Sequence, residues 1–125
     1  QASSSHIFSL ISSQIQQRKE EKMSNVGVYM IANLVINDAE KYRNYEKGFF
    51  PILKKFGGKF LTFDDNHETF EGSLPLEGRV IIFQFPSEQL ARDWYHDEEY
   101  QVLSEFRRAG TTLNSLTMVH EIAPQ

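Results

Sequence analysis

Polar side chains set into apolar stretches are the first places to look for chemistry. A buried amide or charge needs a partner, and that partner is sometimes a ligand. Asn33, within Tyr29-Met30-Ile31-Ala32-Asn33-Leu34, and Gln84, within Val80-Ile81-Ile82-Phe83-Gln84-Phe85, qualify on this ground. The competing reading makes both of them amides that hydrogen-bond across strands or across a subunit interface. His67 lies beside Glu68 and Glu71, a trio able to supply acid and base if its loop folds over a pocket. Exposed turn residues are the plainer account of the same trio. Trp94 and Tyr95 are adjacent, so on a helix they point about 100° apart, and one can enter the core while the other reaches the flank. Tyr29, Tyr42, Tyr45 and Phe49 could line a cavity between a helix and a sheet, although aromatic residues at helical spacing more often pack a core. Arg79 and Arg107 could each hold a carboxylate, a surface ion pair being the commoner use of either. His96 and Glu99 are spaced as a weak metal pair, but no second cluster completes it, and no metal or other cofactor is expected. The sequence has no glycine-rich phosphate loop, nucleophile elbow or metalloprotease helix, so the main nucleotide-binding and hydrolase signatures are absent.

A scaffold must hold these groups, and composition bounds what it can be. The chain has 125 residues, 40% apolar and 13% aromatic, enough for one hydrophobic core and too few for two. Thirteen basic residues face 17 acidic ones, for a net charge of −4. There is no basic footprint for nucleic acid. The absence of cysteine removes disulfides, thiolate nucleophiles and the common structural zinc sites. Apolar runs such as Val80-Ile81-Ile82-Phe83 fall far short of the ~20 residues that cross a bilayer, so a cytoplasmic, non-membrane protein is expected.

Residues 1–22 differ from the rest: Ser- and Gln-rich, then ending in Arg18-Lys19-Glu20-Glu21-Lys22 before Met23-Ser24. Ile7, Ile11 and Ile15, with Phe8 and Leu10 nearby, recur at helical spacing, and a helix that short is marginal alone. The charges stand at the wrong end for a secretory signal. This segment is expected to be a partly helical N-terminal extension, either upstream or artificially added sequence, with Met23 as the natural start and residues 23–125 as the domain.

Residues 26–36 are β-branched and apolar on both faces, as in a central strand. Asn37 or Asp38 can cap the helix that follows, with Tyr42, Tyr45, Phe49, Ile52, Leu53 and Phe56 on one face and Gly57-Gly58 at its end. Pro51 inside that helix predicts a kink or break near Lys47. Residues 59–64 read as a second strand, with residues 67–71 turning back as a short hairpin arm. Residues 79–85 read as a third strand. Ser87 and Asp97 can cap two further helices, the first burying Leu90, Ala91 and Trp94 and the second Tyr100, Leu103 and Phe106. Residues 113–122 suit a last strand. The order is the split βαβ pattern of α+β, ferredoxin-like βαββαβ domains with a four-stranded antiparallel sheet. Helices cover one sheet face. The other is apolar and bare, which predicts a homodimer packed sheet against sheet.

With these elements in place, Tyr29-Met30-Ile31-Ala32, Tyr42, Tyr45, Gly57-Gly58-Lys59-Phe60-Leu61, Glu71-Gly72, residues 79–85, Pro86-Ser87, Ala91, Trp94-Tyr95, Glu99-Tyr100-Gln101 and Arg107 together resemble the DUF1330 family over about residues 28–122. The resemblance implies the dimeric α/β-barrel superfamily, which also holds small monooxygenases, haem-degrading enzymes and muconolactone-isomerase-like proteins. It assigns no reaction, because fold alone does not fix function. Asn33 and Gln84 stand where the family pattern favours acidic residues, and Lys59 where it favours arginine, which weakens any mechanism that depends on those charges.

Three functions remain open from the sequence. The first is a homodimer that binds a small apolar or weakly acidic molecule between sheet and helices, at Tyr29, Tyr42, Tyr45, Phe49, Arg79 and Gln84. The second is a cofactor-free monooxygenase or isomerase acting through Asn33, His67 and Trp94. The third is an interaction dimer whose cavity is filled by its own side chains.

Overall fold

The computed structural model describes residues 10–15 and 26–122. Residues 10–15 are helical and exposed, whereas Ile7, Phe8 and Met23 lie outside the described residues. No helix among the described residues is long and apolar enough to cross a membrane.

Strand β1 (Val28–Ile36) buries Val28, Met30, Ala32 and Leu34 on one side and leaves Tyr29 and Ile31 half-buried on the other, the two-residue alternation of a strand. The Asp38 carboxylate then accepts from the backbone N–H groups of Glu40 and Lys41 and starts helix α1 (Ala39–Lys55). Tyr42, Tyr45, Phe49, Ile52 and Leu53 form its buried stripe, at the i, i+3, i+4, i+7 spacing of an amphipathic helix. Of the kink or break expected near Lys47, the break does not occur, and α1 runs continuously through Pro51. Pro51 and Lys47 both lie on the exposed side, where the Lys47 carbonyl that loses its donor can bond to water. Gly57, at φ 75°, ends the helix. Its N–H reaches the Lys54 carbonyl and that of Gly58 reaches the Leu53 carbonyl, the reciprocal closure that favours glycine in the left-handed region.

Strand β2 (Lys59–Asp64) and strand β3 (Arg79–Phe85) pair antiparallel. The hairpin arm expected over residues 67–71 is absent, and residues 65–78 form an irregular excursion instead. Arg79 Nε and Nη2 donate to the two Asp65 carboxylate oxygens at 2.8 and 3.0 Å, and His67 Nε2 donates to the Gly78 carbonyl at 3.1 Å. The excursion is therefore tied at its base by side chains rather than by a strand ladder.

Ser87 Oγ accepts from the Leu90 N–H at the start of helix α2 (Glu88–His96), and Asp97 accepts from the Tyr100 N–H at the start of helix α3 (Glu98–Gly110). Both caps are those expected from the sequence. The inner face of α3 is not. Tyr100, Ser104, Arg107 and Gly110 are buried, while Phe106 is 44% exposed, so the face is rotated by about one residue from the apolar pattern. Strand β4 (Thr111–His120) follows at once.

The sheet order is β2-β3-β1-β4, antiparallel throughout, which is the α+β, ferredoxin-like arrangement read from the element order. Trp94 is fully buried among Phe49, Phe83, Phe85 and Tyr100, with its ring 4.2 Å from that of Tyr100. The loss of so large a buried ring typically costs about 3–5 kcal/mol.

Candidate functional site

The face of α1 that presents Tyr42, Tyr45 and Phe49 does not close completely on the sheet. A cavity of about 80 Å³ lies between α1, α3 and the sheet, several times the ~10–15 Å³ that one water needs. Ala32, Leu34, Ile81 and Phe83 form its apolar floor, and the more exposed Phe50, Phe63 and Leu113 also line it.

Polar groups converge on this aromatic chamber. The hydroxyls of Tyr45 and Tyr100 are 2.8 Å apart and buried. Burial, and then the neighbouring Tyr100 phenol, push the Tyr45 hydroxyl well above its ordinary pKa. The Tyr42 hydroxyl is pushed up to about 12, chiefly by burial and next by the charge of Glu46. Two arginines line the cavity and differ in their partners. The Arg79 guanidinium is held by Asp65 and stacks over the Phe63 ring at 4.4 Å. Its hydrogen bonds hold the Asp65 carboxyl below the usual range. Arg107 is 5% exposed, its guanidinium lies 5.8 Å from the Tyr45 ring centre, and its Nε has no hydrogen-bond partner among the described residues.

Four of the residues named from the sequence as ligand contacts, Tyr42, Tyr45, Phe49 and Arg79, meet in this cavity. Tyr29 and Gln84 do not. They are paired neighbours on β1 and β3, on the opposite face of the sheet, and Gln84 borders a separate open hollow with Lys59, Pro86 and Glu121. None of Asn33, His67 and Trp94 lines the cavity. Asn33 Nδ2 donates to the carbonyls of Glu77 at 2.6 Å and Arg79 at 3.1 Å, and Asn33 Oδ1 accepts from Asn114 Nδ2 at 2.9 Å. The β1–β4 register steps between Asn33 and Leu34, leaving Asn114 as the extra residue of a bulge, and such a residue has side-chain freedom to reach across. Asn33 and His67 thus both bind the 77–79 segment, whereas Trp94 stands apart in the core. Glu68 and Glu71 are exposed, as is His96.

Arg107 and Tyr100 complete the chamber. Sequence reasoning put Tyr100 in the core and gave Arg107 either a bound carboxylate or, more commonly, a surface ion pair. The available signal was the i, i+4, i+7 spacing of Tyr100, Ser104 and Arg107, which the apolar Leu103 and Phe106 obscure.

Solved structures share this fold at low identity. The RPA0582 protein of unknown function from Rhodopseudomonas palustris superposes with a TM-score of 0.65 at 15% identity, over 89% of this chain and 94% of that one. SnoaB, a cofactor-independent oxygenase from Streptomyces nogalater, in a mutant form, gives 0.56 at 12% identity over 78% and 95%. A dimeric protein of unknown function with a ferredoxin-like fold from Bacteroides fragilis gives 0.51 at 12% identity over 76% and 94%. Among curated proteins, no sequence matches the chain. The model of the domain of unknown function DUF1330 matches residues 27–121, and with that match over most of its length the chain belongs to the DUF1330 family.

Proposed function

We propose that the protein is a cytoplasmic homodimer whose protomers each bind a small apolar or weakly acidic molecule in the cavity between α1, α3 and the sheet. The observation that carries this reading is the cavity itself, because aromatic cores are normally packed to near-crystalline density. Here about 80 Å³ stays open among Tyr42, Tyr45, Phe49 and Phe83. Apolar walls with a few convergent polar groups are the usual character of a small-molecule site. Dimerisation is supported by the uncovered sheet face, where Tyr29, Ile31, Val80, Ile82 and Val119 are only partly buried. It is supported further by Phe70 and Leu74, 86% and 91% exposed. Apolar surface of this extent usually meets a partner, and the one proposed is a second copy of this chain.

Thermal unfolding with a panel of small aromatic compounds tests the site. Bound compounds should raise the melting temperature of the wild type in proportion to RT ln(1 + [L]/Kd). Ala32→Leu, which places a larger side chain into the cavity floor, should abolish that shift while the apo protein remains folded. Equal shifts in both proteins would place binding elsewhere.

A cofactor-free oxygenase or isomerase activity is the second reading, supported by the fold shared with SnoaB. The phenols of Tyr45 and Tyr100 touch the cavity, and Asn33, His67 and Trp94 do not line it. Oxygen consumption with a hydroxylated aromatic compound distinguishes catalysis from binding.

A further inference from the structure

Arg107 is the only charged residue among the described residues whose side chain is fully taken into the core. Helix α3 turns it inward one turn after Ser104, which satisfies its own hydroxyl on the Tyr100 carbonyl at 2.8 Å. A guanidinium stays charged at any physiological pH, and a buried charge without a counter-ion is strongly unfavourable. No carboxylate of a described residue lies within ion-pair distance of it. Among the described residues its Nε finds no acceptor, and the Tyr45 ring at 5.8 Å provides a cation–π contact near the limit of its range. The neighbouring Arg108 makes the contrast plain: it is exposed, and it donates to Gln101 Oε1 at 2.7 Å.

A second group in the chamber is also incompletely used. When two hydroxyls share one hydrogen bond, one donates and the other keeps its proton free for a third group. The Tyr45–Tyr100 pair therefore has one spare O–H, and both residues line the cavity beside Arg107. Arg79 does not duplicate this role, because Asp65 already occupies the Nε/Nη2 edge of its guanidinium, the edge a bidentate carboxylate would take. Glu46, the one carboxylate lining the cavity among the described residues, repels a second negative charge and so favours an anion with a single one.

We infer that the ligand is a small monocarboxylate with an apolar body the size of one aromatic ring, its carboxylate seated on Arg107 and on the spare phenolic O–H of the Tyr45–Tyr100 pair. The inference rests on the cavity reading above and assigns its ligand class. Guanidinium pairs with carboxylates in bidentate fashion, and the aromatic walls take the body.

Calorimetric titration with benzoate and with its uncharged counterpart benzamide, on the wild type, Arg107→Met and Arg108→Met, tests it. Benzoate should bind the wild type and Arg108→Met alike and lose roughly 10- to 100-fold in affinity on Arg107→Met, the range for hydrogen bonds to a charged group. Benzamide should bind more weakly and be little affected by Arg107→Met. If benzamide binds the wild type as well as benzoate does, the anion assignment is overturned and the cavity reading stands. If neither binds, both are overturned. Should Arg107→Met fail to fold, the Nε–H resonance of Arg107 in the wild type supplies the readout. A shift with benzoate and none with benzamide is expected, and an unmoved signal in both titrations overturns the assignment.

Discussion

Tyr42 and Tyr45 show how strongly single residues feel this interior. Both phenols are neutral near pH 7, folded or unfolded. In the unfolded chain a phenol ionises near pH 10, whereas Tyr42 in the fold holds its proton to about 12 and Tyr45 is raised as well. Between those values the unfolded chain alone loses protons, so stability is full below pH 10 and falls as pH rises from 10 towards 12. For Tyr42 the loss is on the order of 2–3 kcal/mol over that interval. Urea unfolding from pH 8 to 12 should show the decline, and Tyr42→Phe should make it shallower; an unchanged slope in that variant would contradict the assignment. Asn33 yields a second expectation. With three strong hydrogen bonds linking β1 to the 77–79 segment and to the β4 bulge, Asn33→Ala should destabilise by about 1–3 kcal/mol, measured by the same unfolding. The sequence named Asn33 as a polar residue in need of partners and offered cross-strand amides as one answer. It could not supply Asn114, because bulge positions depend on tertiary register. Arg107 was harder to place, since an arginine between Phe106 and Arg108 looks like the polar flank of a helix until packing sets the rotation.

At the scale of elements, local chemistry was the most legible. The caps Ser87 and Asp97 and the stop at Gly57-Gly58 stand where the sequence put them, and of the two residues it offered for the first cap, Asn37 and Asp38, the structure uses Asp38, each satisfying nearby backbone groups. A break near Lys47 and a hairpin arm over residues 67–71 are both missing, and in each case distant surroundings decide. Pro51 sits on the exposed side of α1, where a missing hydrogen bond costs little, and residues 67–71 find no strand to pair with. The excursion over residues 65–78 instead depends on its base. Gly78 has φ 72°, and a Cβ there would meet the Leu34 carbonyl oxygen and the Val35 backbone. Gly78→Ala should therefore destabilise the fold by more than the ~1 kcal/mol typical of a left-handed position, seen as a lowered melting temperature. Asp65→Asn removes the charged partner of Arg79 and should speed proteolysis and hydrogen exchange across residues 65–78, leaving α1 protected. Equal exchange throughout the chain would show that the ion pair does not hold the excursion.

For the molecule as a whole, the alternation of apolar residues on both faces of β1 and β3 was visible in the sequence, and it carries both the α+β topology and the proposal of a dimer. Tyr29 and Gln84 were grouped with the cavity residues from sequence because strand parity relative to α1 fixes which face a residue joins, and no local pattern states that parity. If the open face is the interface, Ile31→Lys should convert a dimer to a monomer in light scattering while circular dichroism stays unchanged; a dimer that persists would direct attention away from the sheet.

Native mass spectrometry of the purified protein with benzoate tests the central claim most directly, because one spectrum reports assembly and occupancy together. The account predicts a dimer carrying up to two benzoate masses in the wild type and none in Ala32→Leu. A monomer, or adducts of equal number on both proteins, would contradict it.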